Sequence, residues 1–283
     1  MFSILIPTYN KLNYLKLCLL SIKKNSKFKH QVIIHINEGT DGTIEYIKKN
    51  DYEYTYSKIN EGVCVSYNKA ASLAKRDHIV LMQDDMYFCP EWDVVFSNKL
   101  KEIKEENFFL SGTMIQPFKS YIELDCGKTY KDFNEEKLLN EYRNIHFDDF
   151  HGTHWQPSLL PIKTWNRVGG FSEEFSPGMG CDPDLDMKLW KIGVRRFQGI
   201  SKCRVYHFSS ITLRKDIASK NHGAKTFLKK WGITIKFFKK FYLRSNEKYD
   251  GLLKEPKKNI VYYFELFLCK IKLIYLLILK KNV

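Results

Sequence analysis

The sequence predicts an α/β fold built on a mostly parallel central sheet with helices on both faces. Three observations carry that expectation. Short β-rich runs alternate with helical stretches through the first third of the chain. The run His78 to Met82 is apolar enough to be buried on both sides. Polar residues also stand directly after the first, second and fourth runs, where ligands bind in such sheets.

Phe2 to Ile6 forms the first strand, ended by Pro7, and Tyr14 to Lys24 carries apolar residues at helical spacing. Gln31 to Ile36 is the second strand, closed by the turn residues Asn37 to Gly42. Thr43 to Lys49 reads as helix, Tyr52 to Tyr56 as a short strand and Val65 to Ala74 as helix again. His78 to Met82 then leads into Gln83, Asp84 and Asp85. Residues 100–150 are charged and mixed, and are expected to form surface helices and loops. There is no G-x-G-x-x-G or Walker pattern, which disfavours a dinucleotide or P-loop site.

Composition narrows the function classes. Of 283 residues, 46 are Lys or Arg and 32 are Asp or Glu, a formal charge of +14. Residues 1–200 hold 26 basic and 27 acidic side chains, so the excess lies wholly in the C-terminal third. A uniformly basic nucleic-acid coat is excluded, and no nucleic-acid partner is expected. Cys18, Cys64, Cys89, Cys126, Cys181, Cys203 and Cys269 are scattered, odd in number and without C-x-x-C, which fits a reducing compartment. The opening residues lack a basic region and a long apolar run, so they are not expected to act as a signal peptide. A cytoplasmic location follows as an expectation.

Several residues have the chemistry of a site. Asp84 and Asp85 end an apolar strand, where adjacent carboxylates either hold a hard cation that neutralises a diphosphate or cap a solvated turn. Asp182 before Pro183 is a helix-start pattern, with Asp as N-cap and Pro at the first helical position. Asp184 and Asp186 then complement the helix dipole, and Gly193 stands where a C-terminal cap belongs. Alternatively, one of these carboxylates is a general base, kept ionised by the helix start. His207 follows a strand-like run and reads either as a structural histidine or as a ligand. His154 and Trp155 flank a polar, Gly-containing segment, where a Trp stacks on a sugar ring or belongs to the core.

The order of the motifs is more specific than any one of them. Ile6-Pro7-Thr8-Tyr9-Asn10 closes the first strand, Asn37 to Thr43 follows the second, and Asn60-Glu61-Gly62 with Asn68-Lys69 precedes the fourth. Gln83 to Met86, Pro90-Glu91-Trp92, Gly169-Gly170-Phe171 and Asp182-Pro183-Asp184-Leu185 complete the succession. Over residues 2–210 it resembles the inverting family 2 glycosyltransferases of the GT-A fold. The resemblance implies that Pro7, Thr8 and Tyr9 line a nucleotide-base pocket with Asn37 or Glu38, although the family usually has Asp at position 37. Asn60, Gly62 and Lys69 would lie along the nucleotide. Asp84 would face the ribose or sugar, and Asp85 would bind Mn²⁺ or Mg²⁺, with Gln83 replacing the frequent first acid. Cys181 takes the place of a Glu, Asp182 becomes the preferred base and Asp184 the second choice. His207 matches a late metal or diphosphate ligand, and His154 and Trp155 are candidates for acceptor binding. The implied partners are a nucleotide-sugar donor and a glycan or lipid-linked acceptor of surface polysaccharide synthesis.

The tail, residues 211–283, reads as a helical extension. Lys225, Lys229, Lys236, Lys240 and Arg244 share one side of a helical projection, opposite Phe227, Trp231, Phe238, Phe241 and Tyr242, with Gly232 as an interruption. Ile260 to Leu279 is almost wholly apolar but broken by Glu265, Lys270 and Lys272. Each charge at a bilayer centre costs about 2.5–3.5 kcal/mol, which disfavours a span. Lys258, Glu265 and Lys272 instead form a narrow polar stripe, suited to lying in an anionic membrane interface or to packing on protein. Two rival readings are a nucleotidyltransferase and a non-enzymatic basic membrane adaptor. The first is disfavoured because Pro-Thr-Tyr-Asn-Lys stands where a Gly-rich basic loop belongs. The second would leave both aspartate constellations idle.

Overall fold

The computed structural model describes residues 1–118, 122–152, 156–208 and 217–279. The N-terminal elements are β1 (Ser3–Tyr9), α1 (Leu12–Asn25), β2 (Gln31–Asn37), α2 (Thr43–Lys49), β3 (Glu53–Ser57), α3 (Gly62–Ala71) and β4 (His78–Leu81). β5 (Met86–Phe88), α4 (Trp92–Glu102), β6 (Phe109–Gln116), β7 (Ile122–Glu123), α5 (Glu135–Glu141), β8 (Phe150–His151), β9 (Ser158–Pro161) and α6 (Ile162–Val168) follow. A 3-10 turn at Glu173–Phe175 precedes α7 (Cys181–Lys191) and β10 (Phe197–His207). The chain then turns helical, through α8 (Ile217–Trp231), α9 (Ile235–Phe241) and α10 (Ile260–Leu279).

Among the described residues the strands form one sheet in the order β3-β2-β1-β4-β9-β6-β10-β5, with β7 on β6 and β8 on β10. β1 to β4 are parallel, as the alternating pattern predicts. β9 runs antiparallel between β4 and β6, and β5 antiparallel to β10, so the far half is mixed. The first strand continues past Pro7 to Tyr9. The Leu5 carbonyl faces β4, which fixes Pro7 on that same side by strand alternation. Pairing with β4 stops at Leu5, so the proline lacks a donor only where none is called for.

Three local expectations are corrected. Residues 100–150 are not confined to the surface, because β6 is buried along its whole length inside the sheet. Its polar residues are matched to their surroundings: Thr113 Oγ1 donates to the Ile200 carbonyl at 3.0 Å, and a Cβ on Gly112 would stand 2.8 Å from the Cys203 carbonyl oxygen. α3 begins at Gly62 rather than Val65, since Gly62 takes φ +82° and packs against Pro177 while the Val63 N–H donates to the Pro177 carbonyl. α7 begins at Cys181, with Gly180 as its N-cap, so Asp182 lies inside the first turn instead of capping it. Pro183 is still tolerated there because the first four helical N–H groups have no partner within the helix. Gly193, at φ +95°, does close the helix, with the Val194 N–H reaching back to the Leu189 carbonyl.

Two large clusters cover the sheet. One packs α1, α2 and α4 on Ile4, Ile6, Ile34 and Val80, with Trp92 stacked on Phe88 at 3.9 Å between ring centroids. The other packs α3, α6 and α7 on Leu5, Ile33 and Leu81, and it also takes in Phe227, Phe237, Phe238, Leu243 and Tyr262 from the C-terminal helices. Residues on both sides of position 210 therefore share this core. Asp184 of α7 is fully buried and accepts from Ser172 Oγ at 2.6 Å and Trp231 Nε1 at 2.8 Å, and it pairs with Lys230 Nζ at 3.0 Å. Removing one member of a buried pair leaves the other unsatisfied, at a cost of about 3–5 kcal/mol. Asp184→Ala is accordingly expected to lose about that much in urea unfolding, and Trp231→Phe, which loses the donor together with part of the ring, about 1–3 kcal/mol. A loss below about 1 kcal/mol for Asp184→Ala would show that the pair does not hold the C-terminal helices.

Candidate active site

The site candidates gather at the carboxyl ends of β1 and β4 and at the end of β10. Thr8 Oγ1, at the end of β1, donates to Asp84 Oδ2 at 2.8 Å. Asp84 and Asp85 are both buried, and Lys11 Nζ lies 3.9 Å from the first and 3.7 Å from the second. Burial pushes the Asp84 carboxyl up, reinforced by the charge of Asp85 and opposed by Lys11 and Thr8. The antiparallel register pairs His207 with Met86, which sets its ring beside Asp85, with Nε2 3.3 Å from Oδ1. Gln116 Nε2 donates to His207 Nδ1 at 2.8 Å, so Nε2 carries the ring proton toward Asp85. With the Gln116 amide turned over, Nδ1 would become the donor and Nε2 would present its lone pair.

The second turn is organised differently. Asn37 spends its amide on structure, donating to Ser66 Oγ at 2.8 Å and accepting from the Glu61 N–H at 3.0 Å. Lys69 pairs with Glu61 and donates to Ser57 Oγ at 2.9 Å, while Asn60 accepts from the Gly62 N–H. Asn37, Asn60, Gly62 and Lys69 thus belong to one network joining β2, β3 and α3. Glu38 sits at the turn with φ +60°, within reach of Asn10 Nδ2 at 3.4 Å. Pro7 is buried in the sheet, while Tyr9 stands at the surface of its carboxyl edge.

Asn68 clamps the Gly-Gly-Phe segment to α3. Its Nδ2 donates to the Phe171 carbonyl and its Oδ1 accepts from the Phe171 N–H, each at 2.9 Å. Gly170 is required by this approach, since a Cβ would fall 2.4 Å from Asn68 Oδ1 and the backbone stands at φ +60°.

Asp182 is tied to the Asp84 end of the site by side-chain amides. Gln156 Nε2 donates to Asp182 Oδ1 at 3.3 Å, and Gln83 Nε2 donates to Gln156 Oε1 at 3.4 Å. The buried Tyr67 lies within electrostatic reach of Asp182, Asp84 and Asp85, whose charges help to raise its hydroxyl. Burial pushes Asp182 up to about 6, with Gln156 and Lys239 pulling the other way. Asp184, in contrast, is committed to Ser172, Lys230 and Trp231 and is not placed to receive a substrate proton. Asp186, one helical turn beyond Asp182, is fully buried with no hydrogen-bond partner on either oxygen among the described residues. Its carboxyl is pushed well above the ordinary value, first by burial and then by the charge of Asp182.

Lys11, Gln156 and Lys239 enter the site without having been singled out in the sequence, and Gln83, noted there as the replacement for an acid, donates to Gln156. Lys11 carried the one available signal, a cation within a few residues of the first strand end. His154 and Trp155 lie outside the described residues. Among the described residues no group of three or more His, Cys, Asp or Glu side chains is arranged to hold a metal. Asp85 and His207 form a pair.

Residues 3–154 match the sequence profile of Glycosyl transferase family 2. The chain is 28% identical over 229 residues to the hyaluronan synthase of Pasteurella multocida and, to the same extent, to the chondroitin synthase of strain Pm70. These alignments cover 78% of the chain but only 22% of either synthase. An uncharacterized glycosyltransferase of Mycoplasma genitalium is 34% identical over 157 residues, covering 51% of this chain and 49% of that protein. Among solved structures, S. aureus TarS 1-349 superposes with a TM-score of 0.55 at 17% identity, covering 73% of this chain and 60% of that one. Its complex with UDP-GlcNAc gives 0.53 at 18% identity, over 74% and 60%. This likeness shows a shared fold.

The state of Asp186 is open to a stability measurement. An acid whose folded value is raised binds its proton more tightly in the native state, so stability falls as pH rises above its ordinary value of 3.8. Replacing Asp186 by Leu removes that slope. The stability advantage of Asp186→Leu over the parent is expected to grow steadily from about pH 4 through neutrality. A pH-independent difference would mean that Asp186 is ionised in the native protein.

Proposed function

The chain belongs to Glycosyl transferase family 2, and from that premise we propose that it moves a sugar from a nucleoside-diphosphate sugar to an acceptor hydroxyl, with inversion at the anomeric carbon. The observation that carries this reading is the division of labour among the carboxylates. Asp182 is partly exposed and bound only by an amide, with a value of about 6, so it is ionised at neutral pH yet basic enough to accept a proton. Asp84 and Asp85 stand beside the cation of Lys11, at the strand ends where a diphosphate would lie.

In this reading Asp182 removes the proton from the acceptor hydroxyl as it attacks opposite the leaving diphosphate, and a single displacement inverts the centre. Lys11 offsets charge that builds on the diphosphate. Thr8 fixes Asp84 toward the ribose or sugar, and the exposed ring of Tyr9 offers a surface for the base. A carboxylate and an imidazole 3.3 Å apart suit a divalent ion whose remaining ligands come from the donor phosphates. Asp85 and His207 would hold it, and when bound, Mn²⁺ or Mg²⁺ would stabilise the departing diphosphate. The relatives named for hyaluronan and chondroitin synthesis support a surface-polysaccharide acceptor, glycan or lipid-linked.

We also propose that the protein works at the cytoplasmic face of a membrane, held by α10. No helix among the described residues is long and apolar enough to cross a bilayer. α10 turns Tyr262 and Cys269 inward, and Glu265 pairs with Lys240 of α9 instead of joining an outer polar stripe. What remains outside is mostly apolar, including Ile260 at 85% exposure, Phe264 at 61% and Tyr275 at 65%, with Lys270 and Lys272 also exposed. Beside it lies the basic excess of the tail, 20 Lys and Arg against 5 acidic residues over 201–283. An anionic lipid surface complements both properties.

Two experiments test these readings. Asp182→Asn is expected to bind UDP-sugars and Mn²⁺ as the parent does in thermal shift, but to lose about 10²–10⁴-fold in turnover. In the parent, kcat/KM should fall with decreasing pH through about 6, because the protonated base cannot accept. Near-normal transfer by the variant would remove Asp182 from this role. For the membrane, the full chain should float with phosphatidylglycerol-containing vesicles at low salt and be released at high salt, whereas a chain ending before Lys257 should not float. Equal behaviour of the two chains would set the proposal aside.

A further inference from the structure

Two side-chain amides, Gln83 and Gln156, stand between Asp84 and Asp182, and the sheet sets their meeting. β4 and β9 pair antiparallel, with Leu81 opposite Ser158. The same register, carried two residues past Leu81, sets Gln83 opposite Gln156. Their side chains do meet, Gln83 Nε2 donating to Gln156 Oε1 at 3.4 Å. The other end of the Gln156 amide reaches α7, where Nε2 donates to Asp182 Oδ1 at 3.3 Å. The backbone beside it is tied down, since the Gly112 N–H of β6 donates to the Pro157 carbonyl at 2.8 Å. Gln156 is only 5% exposed, so water competes little for either contact.

The direction of donation along this chain is determined. An ionised carboxylate accepts and does not donate, so Gln156 must turn its NH₂ toward Asp182 and its carbonyl toward Gln83. Gln83 must then present its own NH₂, as it does. An ionised acid at position 83 could only accept, and it would draw the Gln156 NH₂ away from Asp182. Oδ1 of Asp182 is occupied by this amide, and among the described residues Oδ2 has no hydrogen-bond partner.

We propose that Gln156 is a positioning residue for the base, fixed in its donating sense by Gln83, so that the Asp182 carboxylate is oriented from the donor side of the sheet. The inference rests on the reading of Asp182 as the base. Gln156 holds Oδ1 without touching the reacting atoms and leaves Oδ2 for the proton of the acceptor hydroxyl. A donor aimed at a carboxylate also favours its charged form, which opposes the burial that pushes Asp182 up to about 6. Among the described residues, the other titratable groups about Asp182 are Tyr67 from α3, Cys181 and Asp186 from α7 and Lys239 from α9. A change at position 156 alters none of them.

The test is the titration of Asp182 in the full chain, followed by ¹³C NMR of its carboxyl carbon, with the signal assigned from Asp182→Asn. Gln156→Met keeps the length of the side chain and removes both amide contacts. It should move the midpoint up by about one pH unit. Gln83→Met should move it less in the same direction, and the double variant no further than Gln156→Met alone, because Gln83 acts only through Gln156. With UDP-N-acetylglucosamine, Mn²⁺ and water as acceptor, the acidic limb of kcat/KM for UDP release should shift with the midpoint. Should Gln156→Met not fold, Gln156→Asn, whose amide is too short to span both partners, should give the same direction of shift. A midpoint that stays put in a folded variant, or shifts that add in the double variant, overturns the proposal. A midpoint that moves while the kinetic limb does not overturns Asp182 as the base, and with it the part of Gln156 in the reaction.

Discussion

Asp184 fixes the geometry on which the rest of the site depends. It is a fully buried carboxylate in the first turn of α7, and its partners come from two directions: Ser172 from the preceding loop, Lys230 and Trp231 from α8. The arrangement pins the start of α7 in both rotation and depth, and Asp182, two residues earlier, is thereby turned toward Gln156. Asn68 adds an independent constraint by clamping Phe171 to α3, so the loop leading into α7 is anchored to the nucleotide side of the sheet. Position of the base is thus set by groups that need never touch substrate.

The basic tail divides into two parts with different tasks. Its first part is woven into the catalytic core: Lys230 neutralises Asp184, Lys239 offsets Asp182 and Asp186, and Phe227, Phe237 and Phe238 complete the cluster over α7. Its second part, α10, touches that cluster through a narrow inner face and leaves a broad apolar face uncovered. The charge of +14 therefore combines cations that hold the active-site helix with cations that lie beside an apolar surface. At Asp84 and Asp85, where the proposed donor diphosphate would lie, the cation is Lys11.

Legibility in the sequence followed the range of the interactions. The parallel half of the sheet was readable because each strand and helix there is a separate run with its own period, and α2 and α10 match their expected bounds. β6 was not readable, because Ser111, Gly112 and Thr113 break its apolar pattern and make sense only against Ile200, Pro157 and Cys203 across the sheet. The start of α7 was displaced by one turn position for a related reason: Asp-Pro signals a helix start locally, while the left-handed Gly180 sets it. In the site, the order of motifs picked out Thr8, Asp84, Asp85, Asp182 and His207. It could not show that Asn37 and Lys69 spend themselves on a network with Ser66, Glu61 and Ser57, since those partners come from three elements.

Three aspartates at alternate positions of one helix also show why residue type alone does not assign a base. Asp184 has cationic and N–H partners, so its oxygens are occupied. Asp186 has no hydrogen-bond partner among the described residues and no access to solvent, and burial pushes its carboxyl well above the ordinary value. Asp182 lies between these limits, since burial raises its affinity for a proton while a single amide bond from Gln156 opposes that without closing off the carboxylate. The charge of Asp182 raises Asp186 in turn, so of the two carboxyls the proton is favoured on the fully buried one. In the proposed reaction, that asymmetry favours the partly exposed member of the pair as the group that accepts a proton.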